Sequence, residues 1–370
     1  MVLLVDALIF EYKKAPGYET FLFNLLTYLF NHRDLIRANN VKIAVKAGQE
    51  KHFERFCSKF EIISFKFNSH LGLFLAQNLL KKKCSLRAAD VVLHTYNYGS
   101  AIKQAKTITV VHDLQFMRFP EYWSTIKLLQ RKLQIPRTLK LADRIIAISN
   151  FTKQELEFFY GAWIHKTAVI YNFCDFEKFW ECEQSVNSSV SAGSEYFLSV
   201  SSMARHKNIF CLLVAFSLYV KFNKNCKLVL VGKYDNLDKS AHEFIESNGL
   251  NDCVQFTGYI SASELGTLYK KCLATILPTL YEGFGLPIVE ALYFDCRLIL
   301  SDIPICREIA EDSAVFFDPS DPRDLLEKMK NVNNMSSINS SKQRVIQKYA
   351  KENTGALYIE SINQLLLEEI

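Results

Sequence analysis

The sequence predicts an α/β protein with two doubly wound domains facing each other across a cleft, and three observations support this prediction. Strand-like apolar runs alternate with helix-like runs along the chain, which is typical of parallel sheets. The 370 residues exceed what one hydrophobic core usually organises. The alternation lapses once, in the polar, small-residue stretch 185–194, and then restarts. We therefore expect ligands at the carboxyl ends of the strands.

The first domain is predicted over residues 1–180, a linker over 181–195 and the second domain over 196–350. The predicted strands of the first domain are Met1–Val5, Val41–Lys46, Val91–His94, Thr107–His112 and Arg144–Ser149, and its predicted helices include Thr20–Leu29 and a segment near Glu50–Phe60. The predicted strands of the second domain are Tyr196–Val200, Leu228–Val231, Val254–Phe256, Ala274–Leu277, Leu298–Ser301 and Ala314–Phe317. An amphipathic helix is expected near Thr354–Glu369, within a final segment 351–370.

The composition, 49% hydrophobic and 22% charged, is that of a globular protein. No apolar run reaches the ~18 residues that a membrane span requires, and Met1–Val5 is too short and too uncharged for a signal peptide. The ten cysteines form no Cys-x-x-Cys pair and no metal-ligand spacing, so we expect reduced thiols in a cytoplasmic protein. The absence of an Asp-x-Asp pair favours chemistry without a metal ion.

The most informative stretch follows the apolar run 273–277, where a glycine-containing turn leads into a helix. Pro287 suits the first helical position, because its missing N–H costs nothing there. The first amides of the helix lack intrahelical partners and suit a phosphate. Glu282 and Glu290 frame this turn and could bind hydroxyl groups. These residues alone also fit an ordinary strand-to-helix connection in which both carboxylates are solvated or cap the helix.

The pattern E-G-F-G-L-P-x-x-E-A over residues 282–291 resembles the Glu-x7-Glu signature of retaining glycosyltransferases of the family-four, group 1 type. This resemblance implies the GT-B fold, in which two Rossmann-like domains face each other across a cleft and the final segment, here 351–370, crosses back to the first domain. It also implies that Glu290 binds the nucleotide ribose and that Glu282 lies near the donor sugar as a catalytic residue. The amides around Phe284, Gly285 and Leu286 would hold the diphosphate.

Two further residues of the first domain match family motifs. The run V-V-H-D-L, followed by F-P-E at 119–121, resembles the family HD motif, in which the histidine, here His112, lies beside the donor sugar. A lone histidine is more often structural, and that interpretation stays open from the residue alone. Gly17 lies where the family has a glycine-rich loop that approaches the donor phosphates, although a helix-entry turn explains a single glycine equally well.

The second domain opens with a loop that resembles the diphosphate-binding loop of the family. Lys207-Asn208 matches the family Lys-Asn pair, in which the lysine grips the diphosphate as a point charge. The family arginine is missing, since its position reads Ser201-Ser202, and Arg205 is the nearest substitute. Tyr259 follows Gly258 in a segment that resembles the loop whose backbone meets the nucleobase.

Two basic stretches, residues 70–83 and 126–140, combine apolar residues with lysine and arginine. Such helices can lie on an anionic membrane surface, or they can be domain helices with one solvated face. The net charge of +5 and the lack of a recognised motif argue against nucleic-acid binding.

The resemblance as a whole implies an enzyme that moves a hexose, with retention, from a nucleoside-diphosphate sugar to a saccharide or lipid-linked saccharide acceptor. GDP-mannose is the first expectation for the donor and a UDP-sugar the second; no further cofactor and no metal are expected. Similar proteins serve O-antigen or capsule synthesis. We expect this protein in the cytoplasm, with peripheral association at the inner face of the cytoplasmic membrane if its basic stretches bind there. The alternatives are a non-catalytic partner subunit that binds nucleotide sugar, and a sugar-nucleotide epimerase or phosphorylase.

Overall fold

A computed structural model describes residues 1–99, 105–179, 195–234, 239–334 and 341–368. The chain divides into two compact units, the first formed by residues 1–173 and 349–370 and the second by residues 174–348. The predicted linker 181–195 lies almost entirely outside the described residues.

The first unit is a parallel sheet with helices between its strands. Its strands are β1 (Val2–Ala7), β2 (Asn40–Lys46), β3 (Glu61–Phe65), β4 (Val91–His94), β5 (Lys106–Val111), β6 (Arg144–Ala147) and β7 (Thr167–Val169). Its helices up to β7 are α1 (Pro16–Asn31), α2 (His70–Cys84), α3 (Gln115–Arg118), α4 (Thr125–Leu141) and α5 (Asn150–Tyr160). The apolar residues of the central strands β1, β4 and β5 are buried, apart from the half-buried Val2, because helices cover both faces of such a sheet.

The seven strands lie in the order β3-β2-β1-β4-β5-β6-β7, and each neighbouring pair is parallel. The winding direction therefore reverses between β1 and β4. The crevice at the carboxyl ends of the strands beside such a reversal is where doubly wound sheets bind ligands.

The second unit repeats this plan with six strands. Its strands are β8 (Tyr196–Val200), β9 (Lys227–Val231), β10 (Val254–Gly258), β11 (Ala274–Leu277), β12 (Leu298–Ser301) and β13 (Val315–Phe317). Its helices are α6 (Ile209–Tyr219), α7 (Lys239–Ser247), α8 (Ala262–Lys271), α9 (Leu286–Tyr293), α10 (Pro304–Ala310), α11 (Pro322–Lys330) and α12 (Ser341–Tyr349). The order β10-β9-β8-β11-β12-β13 reverses between β8 and β11.

The last helix, α13 (Lys351–Leu367), belongs to the first unit and packs along α1. Gly355 lies so close to the ring of Tyr28 that a Cβ atom there would be 2.4 Å from it. The ring of Tyr358 stacks on Phe173 at 5.1 Å, and Asn363 donates a hydrogen bond to the carbonyl of Leu35.

The predicted fold class is confirmed, since both units are doubly wound parallel α/β sheets. The helix predicted near Glu50–Phe60 is a 3-10 helix that spans Glu50–Phe56. The strands β3 and β7 were not predicted. Both lie at sheet edges, where partial burial and short length weaken the apolar pattern.

Candidate functional site

In the second unit, the loops that follow β8 and β11 are bonded to each other at the point where the winding reverses. The carbonyl of His206, in the first loop, accepts a hydrogen bond of 2.7 Å from the amide of Leu280, in the second. The hydroxyl of Thr279, 1% exposed, lies 3.2 Å from the same carbonyl. These bonds fix the relative position of the two loops, which is the geometry a ligand site at this edge requires.

The predicted residues Lys207 and Glu282 meet across this junction. Nζ of Lys207 lies 2.5 Å from Oε1 of Glu282, and the two side chains are 16% and 13% exposed. Asn208, next in the chain, takes the left-handed conformation that asparagine tolerates well, with φ 55°, and donates to the carbonyl of Pro319. The lysine is thereby held at the end of a rigid turn, with a carboxylate as its partner.

The amino end of α9 presents unoccupied backbone donors. Gly285 has φ 92° and is the cap residue, so that α9 begins at Leu286 and Pro287 is its second residue rather than its first. Within the described part of the chain, no acceptor bonds the amides of Gly285 or Leu286. Phe284 is 3% exposed, and its burial holds the turn against the core. Amides at this end of a helix carry partial positive charge and suit an anion.

Glu290 is buried within the second unit, where two side chains bind its carboxylate. Oε1 lies 2.6 Å from Nζ of Lys178, and Oε2 accepts a hydrogen bond of 3.1 Å from the hydroxyl of Tyr269. Burial lowers the pKa of Lys178, but the charge of Glu290 and its other acidic neighbours outweigh this effect and raise the pKa overall. Burial, and then the charge of Glu290, raise the pKa of Tyr269 well above its usual value. The Glu290 carboxylate is therefore paired with a cation on one oxygen and with a phenol on the other.

Arg205 and Tyr259 lie on exposed segments at the same edge of the second sheet. Arg205 begins the 3-10 helix Arg205–Lys207 and is exposed. Tyr259 is 49% exposed and follows Gly258, which has φ 69°. The carbonyl of Gly258 accepts from the amide of Gly232, and a Cβ on Gly232 would lie 2.1 Å from the carbonyl oxygen of Ser201. Only glycine fits at position 232.

In the first unit, the structure fixes the tautomer of His112 at the carboxyl end of β5. Its Nε2 lies 2.8 Å from the carbonyl oxygen of Thr95, which can only accept, so Nε2 carries the proton. Burial lowers the pKa of His112, partly opposed by this bond, and keeps the ring neutral at pH 7. Nδ1 is then an acceptor, and none of the described residues donates to it.

A buried polar network supports the carbonyl that His112 bonds. The carboxylate of Asp6, at the end of β1, pairs with Nδ1 of His94 at 2.8 Å, and both side chains are under 5% exposed. The hydroxyl of Thr95 donates to the carbonyl of Asp6 and lies 2.7 Å from the hydroxyl of Tyr18. Thr95 is fixed on both sides as a result.

Gly17 is the second residue of α1, the helix that follows β1 at the reversal of the first sheet. It is exposed, and a Cβ added there would meet nothing within 4 Å. The fold of the first unit therefore does not itself require glycine at this position.

Two family models match consecutive parts of the chain. The model described as Glycosyltransferase Family 4 matches residues 17–178, and the model described as Glycosyl transferases group 1 matches residues 183–353. Together they span nearly all of the two α/β units. The chain belongs to the group 1 glycosyltransferases. Its two units are those of the GT-B fold.

Relatives of this group 1 glycosyltransferase include the O-antigen chain mannosyltransferase RfbU of Salmonella typhimurium, which is 26% identical over 70% of this chain and 69% of its own. Among solved structures, sucrose-phosphate synthase of Thermosynechococcus elongatus matches with a TM-score of 0.77 and 15% identity over 99% of both chains. HepE of Anabaena, solved with UDP and glucose, matches with a TM-score of 0.73 and 15% identity over 98% of this chain and 99% of its own.

Three groups that lie against the predicted site residues of this glycosyltransferase were not predicted from its sequence. They are Lys178 and Tyr269, which bind Glu290, and the pair formed by Asp6 and His94 beneath Thr95. Polar residues at the carboxyl ends of β1 and β4 were a signal for the last pair, because apolar residues fill the rest of those strands. No local pattern could have linked Lys178 to a partner 112 residues away.

Among the described residues of the glycosyltransferase, no three histidine, cysteine, aspartate or glutamate side chains are grouped as they would be around a metal ion. None of its described helices is long and apolar enough to cross a bilayer.

Proposed function

We propose that this glycosyltransferase moves mannose, with retention of configuration and without a metal ion, from a nucleoside-diphosphate sugar to a saccharide acceptor. The observation that carries the proposal is the junction at the reversal of the second sheet. There Lys207 and Glu282 meet beside the two free amides that open α9. The cation and the helix amino end suit an anionic leaving group, and the carboxylate suits the hydroxyl groups of the sugar joined to it.

The diphosphate binds at the amino end of α9 in this proposal. The amides of Gly285 and Leu286 donate to phosphate oxygens, and Lys207 supplies a full positive charge. Arg205, which precedes Lys207 by two residues on the same short helix, supplies a second cation in place of the missing family arginine. These groups stabilise the negative charge that develops as the sugar–phosphate bond breaks.

Donor binding also changes the state of Glu282. This carboxylate pairs with the ammonium group of Lys207 at 2.5 Å. A diphosphate competes for the same ammonium group, and Glu282 becomes available to the sugar, where it binds hydroxyls or supports positive charge at the anomeric carbon. Glu282 therefore occupies the binding position of the diphosphate on Lys207 until the diphosphate displaces it.

Glu290 binds the ribose in this proposal. A carboxylate has about four acceptor positions, and Lys178 and Tyr269 occupy only part of this capacity. Lys178 supplies a cation beside this carboxylate, which is 6% exposed, and Glu290 accepts from both ribose hydroxyls. The exposed Tyr259 and the backbone of Gly258 form the edge that meets the base.

His112 contributes an acceptor in this proposal, as the family resemblance suggests. Because Nε2 donates to Thr95, Nδ1 accepts a hydrogen bond from a hydroxyl of the donor sugar. The fold would accept a side chain at position 17, because a Cβ there would meet nothing within 4 Å. We propose that Gly17 instead leaves this space to the donor phosphates. Attack by the acceptor on the same face as the leaving phosphate, with that phosphate as base, gives retention and requires no enzyme nucleophile.

Mannose as the transferred sugar is supported by the similarity to RfbU, an O-antigen chain mannosyltransferase. GDP-mannose is accordingly our first candidate donor, and a UDP-sugar is second, because the similar HepE was solved with UDP. We propose an acceptor linked to a lipid carrier, in O-antigen or related surface polysaccharide synthesis, with the enzyme peripheral on the inner face of the cytoplasmic membrane.

The test is a panel of nucleotide sugars offered to the purified full chain. Thermal protection and slow donor hydrolysis are measured for GDP-mannose, UDP-glucose and related donors. We expect protection and hydrolysis with one donor class, and abolition of hydrolysis but not of protection in Glu282→Gln. Protection without hydrolysis or transfer by the wild-type chain would indicate a nucleotide-sugar-binding subunit and contradict the proposal.

A further inference from the structure

Helix α4 of the first unit has one face in the hydrophobic core and an unusual opposite face. Ile135 and Leu139 are fully buried against the sheet. On the opposite face Ile126, Leu129 and Leu133 are 79%, 58% and 65% exposed. Their spacing of three and four residues places them within about 60° of one another around the helix. The helix therefore presents an apolar ridge to solvent.

Basic residues flank this apolar ridge on both sides and at its carboxyl end. Lys127 lies about 100° around the helix from Ile126, Lys132 lies about 60° from Leu129 on the other side, and Arg137 and Lys140 continue the ridge toward the carboxyl end. All four of these side chains are exposed.

No aspartate or glutamate occurs in α4; the nearest acidic residues in the sequence are Glu121 and Asp143. The fifth basic residue, Arg131, points inward and lies 4.2 Å from the centre of the Trp123 ring. It belongs to the core of the unit and not to this surface.

We infer that this face of α4 docks on the headgroup layer of an anionic lipid bilayer. Ile126, Leu129 and Leu133 insert at the boundary of the acyl chains, and the four exposed cations lie at the level of the lipid phosphates. Charge complementarity identifies this occupant, because a second copy of the same face would bring eight like charges together. The inference rests on the proposed function, in which the acceptor is linked to a lipid.

The experiment measures co-sedimentation of the full chain with phosphatidylcholine vesicles, with and without phosphatidylglycerol. The apolar variant carries Ile126→Ser, Leu129→Ser and Leu133→Ser; the charge variant carries Lys127→Gln, Lys132→Gln, Arg137→Gln and Lys140→Gln. The matched controls are Leu357→Ser, an exposed leucine of α13, and a variant that removes four exposed lysines of the second unit, Lys221→Gln, Lys224→Gln, Lys239→Gln and Lys271→Gln. Unchanged unfolding temperatures check that each variant folds.

We expect the wild-type chain to bind only vesicles that contain phosphatidylglycerol. The affinity for these vesicles should fall about fivefold for each cation removed from α4, and at least about tenfold in the apolar variant. The two controls should bind as the wild type does. Equal loss in the four-lysine control would show diffuse attraction to net charge and overturn the inference. Vesicle binding that survives both α4 variants, or no binding to anionic vesicles at all, would also overturn it.

Donor hydrolysis, measured without vesicles, separates this inference from the proposed function. We expect both α4 variants to hydrolyse the donor at the wild-type rate, since α4 carries none of the proposed site residues. If vesicle binding fails while hydrolysis persists, the docking inference is wrong and the function stands. If no donor is hydrolysed while vesicle binding behaves as expected, the proposed function is wrong and the docking surface stands.

Discussion

Nζ of Lys207 lies 2.5 Å from Oε1 of Glu282, and this contact joins the loops that follow the two strands between which the second sheet reverses. Both side chains are largely shielded from solvent, so each determines the charge environment of the other. A ligand that carries negative charge to this position must replace Glu282 as the partner of Lys207. Lys207 therefore raises the affinity for nucleotides, and Glu282 lowers it.

The first prediction follows from this competition. Lys207→Met should weaken binding of the nucleoside diphosphate by about tenfold to a hundredfold, because a charge-assisted hydrogen bond contributes ~1.5–3 kcal/mol. Glu282→Gln should leave that affinity unchanged or raise it, because the lysine loses its competitor. Calorimetric titration with GDP and UDP measures both effects, and Lys224→Met is the control for an exposed lysine. Weaker nucleotide binding in Glu282→Gln would refute the competition.

The second prediction concerns the partner of Glu290. Lys178→Met should lower the free energy of unfolding by about 2–3 kcal/mol, since it leaves a buried carboxylate without its cation. The value is below that of a fully buried pair because the Lys178 side chain is 31% exposed. The double variant with Glu290→Gln should recover most of the loss. Urea unfolding of Lys178→Met, Glu290→Gln and the double variant gives the coupling energy between the two residues. If the losses of unfolding free energy in the single variants add up to the loss in the double variant, the pair is not coupled.

Glu290 also illustrates the limit of sequence analysis for this chain. Glu290 lies in the second turn of α9, but its two partners come from residue 178 and from α8, and no spacing in the sequence connects them. The strands β4, β8, β11 and β12 begin and end at their predicted residues, because each is a buried apolar run. Local pattern predicts such elements well. Arg131, in contrast, belongs to the basic stretch 126–140 in the sequence but packs against aromatic rings in the structure.

The third prediction uses two glycines as a matched pair. Gly17→Ala should leave the unfolding free energy unchanged or raise it by up to ~1 kcal/mol, because the site is open and the residue is helical. Gly285→Ala should lower it by about 1–2 kcal/mol, because φ is 92° and the Cβ would lie 3.0 Å from Cδ1 of Ile288. Donor titration should show weaker binding in both variants. Unchanged donor binding in Gly17→Ala would remove Gly17 from the site.

The fourth prediction concerns acid stability. Burial, and then the charge of Lys207, lower the pKa of His206 to about 3, whereas an unfolded histidine titrates near pH 6.5. Between these values the unfolded state binds one more proton than the folded state at this residue. The stability contribution is thus complete above pH 6.5 and is lost as the pH falls, by about 1.4 kcal/mol per pH unit.

Urea unfolding between pH 4 and pH 7 measures how the free energy of unfolding depends on pH. Most of this range lies between the folded and unfolded pKa values of about 3 and 6.5, and its upper end lies above both. His206→Gln should flatten the dependence of stability on pH, and His165→Gln, at an exposed position, should not. His112 contributes in the same direction, because burial lowers its pKa also, so some slope should remain. Equal slopes in wild type and His206→Gln would contradict the placement of His206.

The central claim is that the first amides of α9 hold the donor diphosphate, and its most direct test is the amide signal of Gly285. The chain has 13 glycines, so glycine-selective 15N labelling gives a spectrum in which the Gly285 signal can be assigned by its loss in Gly285→Ala. On titration with a nucleotide sugar that calorimetry shows to bind, the Gly285 signal should shift to saturation. The signal of Gly249, in an open turn of the same unit, should stay in place. Saturating binding that leaves Gly285 unmoved would contradict the account.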